Sequence, residues 1–93
     1  MKITLDYALS QFDYFNRLCF DSSLPRIPIV LSRASSYLGK MYYKIDRRPL
    51  GGTRNRDFSI RLSSVIDLTE MQWQDVIIHE MIHYYIAFNH IKD

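Results

Sequence analysis

The apolar positions change period along the chain. Leu5, Leu9, Phe12, Phe15 or Asn16, and Cys19 recur at three- and four-residue intervals, the spacing of a one-sided helix, with Thr4 placed as its N-cap. The pattern predicts a helix ending near Phe20. Asp21-Ser22-Ser23 then reads as a turn, and Pro25 and Pro28 favour extended chain around them. From here the period falls to two. Ile27, Ile29 and Leu31 alternate with Pro28, Val30 and Ser32, predicting a strand over residues 27–33 with Pro28 at its start or on a sheet edge. A second strand is predicted over residues 37–45, with Met41, Tyr43 and Ile45 on one face and Lys40, Tyr42 and Lys44 on the other. Residues 46–56 hold Pro49, Gly51 and Gly52 among four arginines and read as a long, mobile hairpin connection. Residues 57–63 alternate again, with Phe58, Ile60 and Leu62 inward and Ser59, Arg61 and Ser63 outward, as a third strand.

The last element has the best-marked start. Thr69 and Gln72 form a capping box, and Leu68 and Trp73 stand where a hydrophobic staple would close over it. A helix is therefore predicted from Glu70. Its body, from Val76 through Phe88, is apolar on nearly every side, so it is expected to lie buried against the sheet. The expected fold is α+β: an N-terminal helix, a small three-stranded sheet and a buried C-terminal helix.

Composition fits one small globular domain: 93 residues, 47% apolar and 24% charged, leave room for a single core. There is no internal repeat and no low-complexity tract. No run approaches the roughly 20 apolar residues of a membrane span, and the N-terminus lacks a signal-peptide core, so a cytoplasmic protein with no membrane partner is expected. The lone Cys19, beside Leu18 and Phe20, is expected to be a buried thiol. Nothing in the sequence sets the oligomeric state.

Chemistry concentrates on the last helix. His79 and His83 are four residues apart, so their imidazoles project from one helix face and can converge on one metal ion. Zinc accepts such nitrogens at about 2.0–2.1 Å in tetrahedral geometry. Glu80, next to His79, is not needed as a ligand and is placed to act as general base. Zinc would lower the pKa of water toward about 7 and polarise a carbonyl, while Glu80 takes the proton and delivers it to a leaving amine. Peptide-bond hydrolysis is the expected reaction. Chance placement is the weaker account, because three polar residues at this spacing in so apolar a helix are costly to bury without a role.

A third protein ligand is not evident. His90 lies seven residues beyond His83, roughly 10.5 Å further along a straight helix, and would reach the ion only if the chain turned sharply after Phe88. Position 86 is Ile and position 89 is Asn, where an extended zinc-protease pattern would carry Gly and His. Cys19, the acidic residues or a partner chain are the other conceivable donors.

Over nearly its whole length the chain resembles the SprT-like zinc metalloproteases, related to the Spartan proteases. Phe15-Asn16-Arg17-Leu18-Cys19-Phe20-Asp21-Ser22-Ser23-Leu24-Pro25 resembles the family's opening segment. Leu38-Gly39-Lys40 resembles its central strand, Ile60-Arg61-Leu62-Ser63 the strand before the active-site helix, and His79-Glu80-Met81-Ile82-His83 its catalytic motif. The resemblance implies a minimal zincin-like domain over residues 1–93, with zinc on His79 and His83 and catalysis by Glu80. It also implies a third histidine ligand a dozen or more residues beyond the second, so the chain is expected to stop short of that ligand. The C-terminal zinc ribbon of many members is not expected here.

Charge adds a second candidate function. Between Arg33 and Arg61, eight basic residues face two acidic ones, a surplus of +6 against −4 elsewhere. Such a segment could face a polyanion, and Spartan-type relatives act on DNA-bound proteins. Arg47, Arg48, Arg54 and Arg56 are the candidate nucleic-acid residues, with a solvated charged hairpin as the alternative. Three readings therefore stand: a zinc peptidase acting on protein substrates, some of them on DNA; a non-catalytic nucleic-acid-binding module; and a domain that uses metal only to hold its fold.

Overall fold

A computed structural model describes residues 1–91. Helix α1 (Leu5–Phe20) begins where predicted, the Thr4 hydroxyl accepting from the Tyr7 amide. Its buried face is Ala8, Phe12, Phe15 and Asn16, while Leu5 and Leu9 remain exposed. Asn16 is buried because its amide replaces a backbone partner. Its Nδ2 donates to the Leu24 carbonyl at 2.8 Å, and its Oδ1 accepts from the Leu24 amide at 3.1 Å. The chain between them turns through two left-handed residues, Asp21 and Ser22, with φ of 52° and 57°. Both of their amides donate to the Asn16 carbonyl.

Cys19 is exposed, not buried as expected. It keeps the spacing of the packed face, but in the last turn of α1 it is Phe20 that packs against the core. There it borders a shallow pocket with Phe20, Asp21, Ser23 and Tyr85.

Strand β1 (Ile29–Ser32) pairs in parallel with β3 (Thr53–Ser63), which pairs antiparallel with β2 (Gly39–Arg47), giving the order β1-β3-β2. Pro28 precedes an edge strand, as its missing N–H requires. The hairpin differs from expectation: both strands continue through most of the predicted connection, leaving only Arg48 to Gly52 as the turn. Gly51 and Gly52 supply its positive φ values, 93° and 82°. Ion pairs brace the extended ladder, Arg56 bonding Asp46 and Asp57 while Lys44 lies 3.8 Å from Asp57. Alternating charges thus pair across the strands where composition alone predicts a loop.

A bulge interrupts the ladder. Tyr42 opposes Ser59, yet Lys44 opposes Arg56, so Asp57 and Phe58 together face Tyr43. Asp57 absorbs the extra residue with φ of 56°. Without this shift, Arg54 and Arg56 would share the face of Phe58, Ile60 and Leu62. With it, they join Lys40, Tyr42, Lys44 and Arg61 on the opposite face.

Helix α2 (Glu70–Phe88) opens on the predicted capping box, the Thr69 and Gln72 side chains bonding each other's amides. The Trp73 indole N–H donates to the Met1 carbonyl at 2.8 Å. Trp73, Ile77, Met81 and Tyr84 form a buried stripe that meets Phe12 of α1 and Ile60 and Leu62 of β3. Each such side chain contributes roughly 1.5–3 kcal/mol relative to exposure. The burial is one-sided: Met71, Ile82 and Phe88 stay exposed despite the helix's apolar composition. No described helix is long and apolar enough to cross a membrane.

Tyr84 is almost fully buried, and its hydroxyl donates to the Pro25 carbonyl at 2.9 Å. Burial pushes its pKa up from 10.0 to about 12. The folded value lies above the unfolded one, so this stabilisation is complete below the unfolded pKa and lost as pH rises through about 12. Tyr84→Phe is expected to cost about 1 kcal/mol at neutral pH by orphaning the Pro25 carbonyl. It is also expected to reduce the loss of stability on moving to alkaline pH. Denaturant unfolding of both proteins across that range checks this; an unchanged alkaline limb in the variant would contradict it.

Candidate metal centre

Burying one stripe of α2 fixes what its neighbouring flank presents. With Ile77, Met81 and Tyr84 turned into the core, His79 and His83 come out exposed on the adjacent side, one turn apart. Their Nε2 atoms approach to 3.0 Å and their rings stand nearly perpendicular, at 83°. Two nitrogens held by one tetrahedral zinc are about 3.3 Å apart, from bond lengths near 2.0–2.1 Å. A rotation of a few tenths of an ångström therefore takes the pair from mutual contact to shared coordination. The two imidazoles are donors of the kind zinc takes.

Glu80 lies between them in sequence but turns toward β2, where it is only 6% exposed. The reason is Gly39. A Cβ built on this residue would meet Val76 Cγ1 at 3.0 Å, Leu62 Cδ2 at 3.1 Å and Glu80 Cγ at 3.2 Å. Gly39 is not among the positive-φ glycines, so the position needs space rather than unusual backbone. Burial raises the Glu80 pKa, and positive charge on His79 and His83 acts in the opposite direction. A carboxylate in this setting is a stronger base than one in water.

The three side chains line a cleft of about 590 Å³. Gly39, Lys40, Met41 and Tyr43 of β2 form one wall, and Ile86 and Ala87 of α2 extend the other. Asn55 closes the far end, its Nδ2 donating to the Ala87 carbonyl at 2.8 Å. A smaller pocket of about 390 Å³ continues past Gly39 between Leu38, Asp75 and Val76. Gly39, His79 and Glu80 border both.

His90 also reaches the cleft, because α2 ends in the sharp turn needed for it to swing back. The Ile91 amide bonds the Ile86 carbonyl and the His90 amide the Ala87 carbonyl, with His90 itself at φ 54°. This is a Schellman ending with histidine in the position that usually takes glycine. Even so, no three His, Cys, Asp or Glu side chains among the described residues converge as a metal site. Cys19 lies instead beside Phe20 and Tyr85.

Of the candidate nucleic-acid residues, Arg54 and Arg56 pair with Asp46 and Lys44 on the sheet face away from α2, while Arg47 opposes Thr53 in the alternate register and Arg48 begins the turn. Arg56 is already bonded to two aspartates. The four therefore do not form one patch. Reading the sequence for charge missed Asn55 and the steric role of Gly39; an isolated glycine at a strand start, away from any turn, was the available signal.

Neither curated proteins nor solved structures yield a match to the chain. A family model does, aligning with residues 8–92 and so with most of α1, all three strands, α2 and the paired histidines. The protein is a member of the SprT-like family.

Proposed function

We propose that the protein is a zinc-dependent peptidase with His79 and His83 as metal ligands and Glu80 as general base. The observation that carries this reading is the convergence of two imidazole Nε2 atoms at 3.0 Å beside a buried glutamate in an open cleft. Membership of the SprT-like family supports it. When bound, zinc supplies Lewis acidity, polarising a carbonyl and making water easier to deprotonate. Among the described residues no third donor converges with His79 and His83.

The chain's own residues have distinct tasks. His79 and His83 would hold the ion through their Nε2 atoms. Glu80 accepts a proton from water and returns it to the amide nitrogen that leaves. Its burial keeps competing water from the carboxylate, and its position depends on the missing side chain at Gly39. Strand β2 is a sheet edge and walls the same cleft, so an extended polypeptide can add its own backbone hydrogen bonds there. The substrate class is accordingly an unfolded or extended protein segment.

Glu80→Gln is expected to retain zinc and lose hydrolysis of an unstructured protein by at least about 100-fold. His83→Ala is expected to lose zinc and activity together. Metal content and proteolysis measured side by side check both, and undiminished cleavage by Glu80→Gln would overturn the assignment. Gly39→Ala is expected to cost about 1–3 kcal/mol through overpacking, and to slow hydrolysis at unchanged zinc content. A variant as stable and as active as the parent would show that Glu80 has room to spare.

A further inference from the structure

The cleft changes character along its length. Near Gly39 it is lined by Glu80, His79 and His83; further along β2 and α2 it is lined by Tyr43, Ile86, Ala87 and Ile91, with Asn55 and His90 as the polar members. Asn55 already commits its amide nitrogen to the Ala87 carbonyl. Among the described residues that line the cleft, Glu80 is the one carboxylate. The end away from it is therefore apolar and without negative charge.

Apolar surface also continues beyond the cleft. Met41, Tyr43 and Ile45 alternate onto the helix side of β2, but α2 ends at Phe88 and leaves the last two uncovered, at 41% and 59% exposure. Phe88 and Ile91 are exposed as well. The Tyr43 ring lies 5.6 Å from that of Phe58, and Phe58 lies 6.0 Å from Phe88, so strand and helix contributions are continuous. A contiguous apolar area that runs into a cleft has the character of a binding site rather than of ordinary surface.

We propose that this end of the cleft is a specificity subsite, which takes one aliphatic or aromatic side chain of an extended polypeptide lying along the β2 edge. The proposal rests on the peptidase reading and adds which segments are chosen. The occupant is the substrate because the apolar area is continuous with the cleft that holds Glu80, and the open edge of β2 runs beside both. Strand geometry sets the spacing. At about 3.3 Å per residue, Tyr43 stands about 13 Å along β2 from Gly39, the residue packed on Glu80. A substrate strand paired to β2 keeps that rise, so its apolar side chain falls about three to five residues from the cleaved bond. A cationic side chain would find no carboxylate there, and an ionised carboxylate would give up water against Tyr43, Ile86 and Ile91. Folded proteins bury large apolar side chains, so the subsite selects unfolded segments by composition as well as by conformation.

The test measures cleavage and binding separately on one set of peptides, built of serine, threonine and glycine with a single leucine moved position by position. Cleavage by the zinc-loaded protein is followed by mass spectrometry, and binding to the metal-free protein by amide NMR shifts. Leucine about three to five residues from the cleaved bond is expected to raise kcat/KM about tenfold over serine there, and aspartate to give no gain. The same peptide is expected to bind the metal-free protein about tenfold more tightly than its all-polar parent and to shift the Tyr43, Ile86 and Ile91 amides. Tyr43→Ala and Ile91→Ser are each expected to reduce the leucine gain by about fivefold or more. Tyr42→Ala, on the same strand but facing the other way, is expected to keep it within about twofold. Binding indifferent to leucine, or a full leucine gain in both cleft variants, would overturn the proposal. Cleavage without leucine dependence would overturn it and leave the peptidase reading standing. Leucine-dependent binding without zinc-dependent cleavage would uphold the subsite and sink the peptidase reading.

Discussion

At Gly39 the backbone of β2 comes so close to α2 that a methyl group there would lie 3.0 Å from Val76 Cγ1 and 3.2 Å from Glu80 Cγ. That proximity is possible because Trp73, Ile77, Met81 and Tyr84 press α2 onto Ile60 and Leu62, and it sets the rotation of the whole helix. Once the rotation is fixed, Glu80 must point at the strand, and His79 and His83 must emerge at the rim of the cleft. The same packing that stabilises a small core thus sorts the three polar residues into a buried base and two exposed ligands. Burial accounts for the raised Glu80 pKa, and exposure leaves both imidazoles open to a metal.

A second constraint acts on charge. One extra residue at Asp57 keeps Phe58 against Tyr84 and Phe88, with ring centroids 5.0 and 6.0 Å away, while reversing the facing of the arginines before it. Beyond the bulge the helix side therefore carries Tyr43, Ile45 and Asn55, and the opposite side Lys44, Arg54 and Arg56. The cleft therefore opens on the α2 side of the sheet, and Tyr42 and Arg61 face the other way.

Elements with strong local signals were legible in the sequence. Thr4 capped α1, the Thr69 and Gln72 box opened α2, and the histidine spacing on that helix placed both rings on one side as expected. What periodicity could not show were features set by tertiary packing. The hairpin reads as a loop because Gly51, Gly52 and Pro49 dominate its composition, whereas pairs such as Arg56 with Asp46 form only once the strands meet. Cys19 keeps the apolar phase of α1, but the place against the core in that turn is taken by Phe20. His90 enters the cleft through a left-handed residue at the end of α2, a turn with no glycine to announce it. The SprT-like membership rests on residues 8–92, which include all of these features except Thr4 and the first residues of α1.

The central claim is that packing of α2 presents His79 and His83 as a metal-binding pair. Crystals grown with zinc and measured across its absorption edge test it most directly. The account predicts an anomalous peak about 2.0–2.1 Å from both Nε2 atoms, absent in His83→Ala crystals. Zinc located elsewhere, or a peak that persists in the variant, would contradict it.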